Sequence, residues 1–221
     1  MQGSMATTAL IAASPFNSFA KIAAPLTGFN NNKNGVVFLH TSSGSTPTRP
    51  DHITTIKDKF SNVLLMHAGP AVPAHLQPLK YDVSMQNPGE VLTTRNYTIV
   101  YKGAIKTGVI NIYSASTGAM KEANELAAYL KTEKNCDLVV CLSALGYKTN
   151  NDLDDRRLAN LSSHIDMIIG GHESNFSSTT MIALNRNNAE VIIDHSANAT
   201  DQLGKVSINF NRLGIKSNID I

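Results

Sequence analysis

The sequence predicts an α/β domain, a mixed sheet system packed by helices. Short apolar runs bounded by turn residues, the mark of buried strands, alternate with amphipathic helical stretches through the middle of the chain. From Thr180 onward the pattern carries strands alone. The chain has 221 residues, 42% of them hydrophobic, which is enough for one core of ordinary size and too apolar for disorder.

Gly35–His40 and Val63–His67 are the first two apolar runs and read as buried strands. Tyr97–Tyr101 and Lys106–Tyr113 flank Lys102-Gly-Ala-Ile105, which predicts a hairpin. Gly118–Glu133 places Met120, Ala123, Leu126, Ala127 and Leu130 on one face at helical spacing. Cys136–Leu142 reads as another buried strand. Asn151 or Asp152 is the expected cap of a helix running to about Ser162. Asp154 and Asp155 fall in its first turn, where the helix dipole favours anions. The run Asp154-Asp-Arg-Arg157 then reads as a solvated face with local ion pairs. Ile165–Ile169, Thr180–Asn185, Glu190–Asp194 and Leu203–Phe210 complete the strands.

The N-terminal part is different in kind. Met1-Gln-Gly-Ser-Met5 reads as a cloning scar. Residues 6–34 are a leader and linker. An apolar run, Ala6–Ala13, is followed by Ser18-Phe-Ala20, with small residues spaced as at an export cleavage site. That pattern is expected either of the later part of a bacterial export signal or of a plain Ala/Ser-rich leader. The single domain is expected at 35–221.

Composition also excludes function classes. The net charge is +2, Lys and Arg are scattered, and no basic run is interleaved with aromatics, which argues against a nucleic-acid surface. No stretch of 18 apolar residues exists to span a membrane. Cys136 and Cys141 sit an odd number apart in an expected strand, hence on opposite faces and unable to bridge. Gly170-Gly171 lacks the remainder of a dinucleotide fingerprint, the Ser42–Thr46 loop lacks the lysine of a P-loop, and no Gly-x-Ser-x-Gly elbow is present.

Several segments resemble a known family in the right order. Asp137-Leu-Val-Val-Cys-Leu-Ser-Ala-Leu-Gly146 is similar to a strand ending in Ser-His-Leu-Gly, and Ile165-Asp-Met-Ile-Ile-Gly-Gly-His172 to Ile-Asp-x-Ile-Ile-Gly-Gly-His-Ser-His. Tyr97–Ile110 resembles a hairpin ending in Lys-Val-Gly-Val-Ile. Gly35-Val-Val-Phe-Leu-His-Thr41 and Asn62-Val-Leu-Leu-Met-His-Ala-Gly69 resemble the strands that run into His-Thr-Asn-Asp-x-His and Asp-Ala-Gly-Asp. These are motifs of the calcineurin-like metallophosphoesterases, in particular the 5′-nucleotidase and UDP-sugar hydrolase metallophosphatase domain. The resemblance spans about residues 35–210 and implies a four-layer αββα sandwich. It also implies two divalent metals on loops at the strands' C-terminal ends, clamping phosphate and activating a bridging water.

The departures fall on the metal-binding positions. Ser43 and Ser45 stand in place of the first motif's Asp and His, and Pro70 in place of the bridging Asp. Ala144 replaces the His of Ser-His-Leu-Gly, and Ser174 the last His of Gly-Gly-His-Ser-His. The catalytic Gly-Asn-His-Glu maps onto Gln86-Asn-Pro-Gly-Glu90, leaving Asn87 only if a gap is allowed. His172 is retained. Proline and alanine offer a metal nothing, and a serine hydroxyl is a poor substitute for carboxylate or imidazole. The loops around 69–97 are also shorter than the family's.

The expectation is therefore a domain of nucleotidase type with phosphohydrolase activity lost or greatly reduced. It is expected to need no cofactor, to be exported in a bacterium, and to act as a binding or companion subunit, its partner a separate nucleotidase-type subunit. The alternative is an active phosphoesterase with a rewired site. His40, His67, His172 and His195 all sit at or near strand ends, where ligands gather in open sheets. His67, His172 and His195, with Glu173 or Asp194, form a candidate set for one zinc or manganese ion.

Overall fold

The computed structural model describes residues 34–42, 50–69, 71–85, 97–147, 153–171, 180–195, 203–211 and 215–220. The sequence expectations at Ser43, Ser45, Pro70, Asn87, His172, Glu173 and Ser174, and on the leader, lie outside the described residues.

The elements follow in order. They are β1 (Gly35–Ser42), α1 (Pro50–Lys59), β2 (Val63–Ala68), a 3-10 turn (Ala74–Leu79), β3 (Val83–Ser84), β4 (Tyr97–Lys102), β5 (Ile105–Ile112), α2 (Thr117–Thr132), β6 (Leu138–Ser143) and α3 (Asp155–Leu161). Then come β7 (Met167–Gly170), β8 (Met181–Leu184), β9 (Glu190–His195), β10 (Gly204–Phe210) and β11 (Lys216–Asp220). One sheet has the order β11-β10-β1-β2-β3, the other β4-β5-β6-β7-β9-β8. β1, β2 and β3 run parallel, as do β5, β6, β7 and β9, while β4, β8, β10 and β11 are antiparallel to their neighbours.

Alternation along the strands builds the layers. Val36, Phe38, Leu64 and Met66 of the first sheet pack against Val140, Leu142, Ile169 and Ile192 of the second, forming the central core. The opposite faces take the helices, because a strand buried on both sides must be covered twice. Val37, Leu39, Val63 and Leu65 lie under Ile53 and Ile56 of α1 and Leu76 and Leu79 of the 3-10 turn. Cys141, Ile168, Val191 and Ile193 lie under Leu126 and Leu130 of α2 and Leu158 of α3. The result is helix, sheet, sheet, helix, the four layers expected.

Local chemistry sets the helix bounds. Ser116 caps α2 by accepting from the Ala119 amide at 3.1 Å, as N-cap serines do. Asp154, not Asn151 or Asp152, caps α3, accepting from the Arg157 amide at 2.8 Å. Cys136 precedes β6 rather than lying within it, so the odd-offset argument does not apply. Both thiols, free, belong to the cluster under α2. Among the described residues no helix is long and apolar enough to cross a membrane.

Candidate functional site

The parallel strands of both sheets end on one side of the molecule. Their C-terminal edges meet there: a Cβ added at Gly171, just past β7, would lie 1.9 Å from the Ala68 carbonyl oxygen at the end of β2. This shared edge carries His40, His67, Ser143, Ala144, Asp194 and His195, where strand-end placement predicts them.

His40 and Asp194 are brought together. Both sit at even positions of their strands and therefore face the space between the sheets, alongside Phe38 and Ile192. His40 Nε2 donates to Asp194 Oδ2 at 2.6 Å, and Thr180 Oγ1 donates to Asp194 Oδ1 at 2.7 Å. The His40 side chain is fully buried and that of Asp194 is 6% exposed. His40 Nδ1 has no hydrogen-bond partner among the described residues. Gly204, which pairs with His40 in the sheet, leaves room for the ring: a Cβ there would meet it at 2.1 Å.

His67 lies elsewhere. It occupies the opposite face of its sheet, with Leu65, toward α1 and the 3-10 turn. Its Nε2 is 3.0 Å from the Ala71 carbonyl, which can only accept, so Nε2 carries the proton. Nδ1 then accepts from Thr41 Oγ1 at 2.9 Å, and Thr41 in turn accepts from the Tyr81 hydroxyl at 2.7 Å. Burial lowers the His67 pKa from its ordinary 6.5, against a raising contribution from the bond to Ala71, which suits this neutral tautomer. The same burial raises Tyr81 to about 12, with the Thr41 bond opposing it.

His195 faces the outer side of the second sheet, toward α3. Its Nε2 lies 2.9 Å from Asp155 Oδ2, an ion-pair distance. Ser143 Oγ donates to the other oxygen of Asp155 and accepts from the Leu145 amide at 3.1 Å. Gly170 makes room for this ring, since a Cβ there would meet it at 2.0 Å. Tyr147 presents an edge to the ring from 6.3 Å. Asp155 is fully buried, so the reading of its segment as a solvated charged face is corrected: only the cap and the arginines lie outward. The sequence signal for Asp155 was its place at the start of a short helix following a strand that ends in serine.

The chemistry of these groups follows from their order. In the Ser143–Asp155–His195 chain the carboxylate lies between hydroxyl and imidazole, whereas a nucleophilic serine is activated by a histidine that itself lies between hydroxyl and carboxylate. All three are at most 4% exposed, which denies a substrate access. Nor do the described residues fit a two-metal centre. His67 and His195 lie on the outer faces of different sheets, and His40 and Asp194 between them. Among the described residues no three His, Cys, Asp or Glu side chains converge so as to hold an ion. Ala144 follows β6 with its methyl group packed on the central core, and its only polar contribution is backbone, its amide donating to the Ile112 carbonyl at 2.9 Å.

No protein-family model matches the sequence, and no curated protein matches it. Solved structures do match the fold. The chain is similar to an NAD nucleotidase of Haemophilus influenzae, with 15% identity, a TM-score of 0.61, and 85% of this chain and 55% of that one covered. A 5′-nucleotidase precursor of Thermus thermophilus matches with 14% identity and a TM-score of 0.59, covering 84% and 53%. A hypothetical protein of Thermus thermophilus matches with 10% identity and a TM-score of 0.53, covering 84% of this chain and 97% of that one. The chain thus spans about half the length of the two nucleotidases. The fold is that of the metallophosphoesterases, as the motif resemblance predicts.

Proposed function

We propose that this chain is a binding or companion subunit on a 5′-nucleotidase-type metallophosphoesterase scaffold, with phosphoester hydrolysis lost or greatly reduced. One observation carries the reading. Among the described residues the polar side chains at the strand ends lie in separate pairs, His40 with Asp194 and His195 beside Asp155, and no three of them converge on a common point. Five expected ligand positions hold Ser43, Ser45, Pro70, Ala144 and Ser174, which supports the same conclusion from the sequence. The partner class is a nucleotidase-type subunit, and the site of action is outside the bacterial cytoplasm, supported by the apolar leader.

The test is direct. Purified protein incubated with AMP, a UDP-sugar or an aryl phosphate, with Mn²⁺, Zn²⁺ or Co²⁺, is expected to release no phosphate above a metal-only control. Turnover that disappears in His172→Ala would establish the rival, a one-metal hydrolase centred on His172.

A further inference from the structure

β8 is the outer strand of the second sheet and, among the described residues, has a neighbour on one side only, β9. An open strand edge is a template for pairing with another chain, and proteins usually blunt it with lysine, proline or a bulge. β8, Met181-Ile-Ala-Leu184, has none of these, and its register with β9 is unbroken. The strand is also apolar and exposed. Of the large apolar side chains exposed among the described residues, Met181 (37%), Ile182 (52%) and Leu184 (55%) lie together here, while Tyr101 and Ile215 stand alone. A contiguous exposed apolar patch marks an interaction surface.

The backbone fixes which groups face outward. The Asn185 amide donates to the Ala189 carbonyl at 2.9 Å, and the Ile192 amide to the Asp166 carbonyl at 3.0 Å. Antiparallel alternation therefore turns the amides and carbonyls of Met181 and Ala183 toward β9, and those of Ile182 and Leu184 out to the free edge. Side chains alternate as well. Met181 and Ala183 share the outer face of the sheet with Ile193, where Arg156 and Asn160 of α3 line a groove beside them. Ile182 and Leu184 lie on the inner face, in line with Ile192 and Glu190.

Charge selects the occupant. Arg156, Arg157 and Arg186 are the arginines of the described residues; all are exposed, and none forms an ion pair among those residues. Arg156 lines the groove, and Arg186 follows the end of β8 by two positions. A second copy of the chain would add like charges to this edge, whereas an acidic strand answers them. We propose that β8 binds an extended segment of a partner protein by antiparallel strand addition, the segment alternating apolar and acidic residues. Its apolar side chains cover Ile182 and Leu184 on the inner face, where Glu190 disfavours acids. Its acidic side chains lie on the outer face beside Arg156. The companion-subunit reading, on which this rests, thereby gains a docking surface and a partner chemistry.

The probe is a synthetic peptide, Glu-Val-Glu-Val-Glu-Val-Glu with both ends blocked, titrated into the full chain and followed by two-dimensional amide NMR. Saturable shifts centred on the Ile182 and Leu184 amides are expected. The same peptide with lysine in place of every glutamate should bind about tenfold more weakly. Arg156→Glu should reverse that preference and leave the melting temperature unchanged, since the side chain is exposed. Methylating the valine nitrogens, which face Ile182 and Leu184 in this pairing, should abolish the shifts, and methylating the glutamate nitrogens should not. No saturable shift at Ile182 and Leu184 with the acidic peptide overturns the proposal, as does equal binding of the lysine peptide or binding that survives valine methylation. A free chain that dimerises in sedimentation velocity and becomes monomeric in Ile182→Lys also overturns it, because the occupant is then a second copy. No phosphoester enters these measurements, so phosphate release in the assay above counts against the companion-subunit reading alone.

Discussion

Replacing Asp194 by alanine removes the acceptor for both His40 and Thr180 between the two sheets, near their C-terminal edge. With His40 fully buried, its Nε2–H loses its acceptor in a largely apolar space. Breaking a buried pair from one side costs about 3–5 kcal/mol. The half-buried Thr180 hydroxyl loses at most about 1 kcal/mol more, since it can turn to solvent. A total of about 4 kcal/mol lowers the melting temperature of a domain this size by about 8–16 °C. The double variant His40→Leu/Asp194→Leu removes both partners and roughly keeps the volume, so it should recover most of that loss. Urea and thermal unfolding of wild type, both single leucine variants, Asp194→Ala and the double variant, all in EDTA, complete the cycle. The reasoning is refuted if Asp194→Ala in EDTA lies within about 1 kcal/mol of wild type. A double variant no more stable than Asp194→Ala would refute it equally.

Gly171→Ala should be strongly destabilising, at or beyond the upper end of the roughly 1–3 kcal/mol seen for overpacking, because its Cβ would meet backbone at 1.9 Å. Gly118→Ala in α2, whose nearest neighbour is at 4.0 Å, should instead stabilise by about 0.4–1 kcal/mol; urea midpoints distinguish the two. His67 has a folded pKa below its ordinary 6.5, so the unfolded chain takes up more protons in that window. Its contribution to stability is present above about pH 6.5 and is lost as pH falls through the window, and His67→Gln should flatten that part of the profile of urea midpoint against pH. Burial raises the Cys136 and Cys141 thiols, the latter well above the ordinary value with Asp155 adding to the effect. Ellman's reagent at mildly alkaline pH should therefore find almost no thiol in the native protein and both in urea.

The fold was readable in the sequence because its strands are buried on both faces and so appear as short uninterrupted apolar runs. α1 was not readable: from Asp51 to Lys59 only Ile53 and Ile56 are buried apolar residues, and the other positions of that stretch are polar. β11, with the sequence Lys216-Ser-Asn-Ile-Asp220, is an edge strand with polar residues outward and escapes an apolar-run criterion. At the strand ends the sequence located His40, His67 and His195 correctly along the chain. What it could not give was the face each ring occupies, because a one-residue difference in strand phase sends a side chain to the opposite side of its sheet. That phase separates His40 from His67 and His195, and it leaves His40 the partner of Asp194. Asp155 was missed because an aspartate beside a capping aspartate and two arginines looks solvated until the tertiary structure places it under His195.

The account rests on strand-end side chains holding one another in place of a pair of cations. Equilibrium dialysis against Mn²⁺ and Zn²⁺, followed by elemental analysis of the retained protein, measures this most directly. Well under one ion per chain is predicted, unchanged in Asp194→Asn. Two ions per chain surviving dialysis, with loss of both in Asp194→Asn, would contradict it.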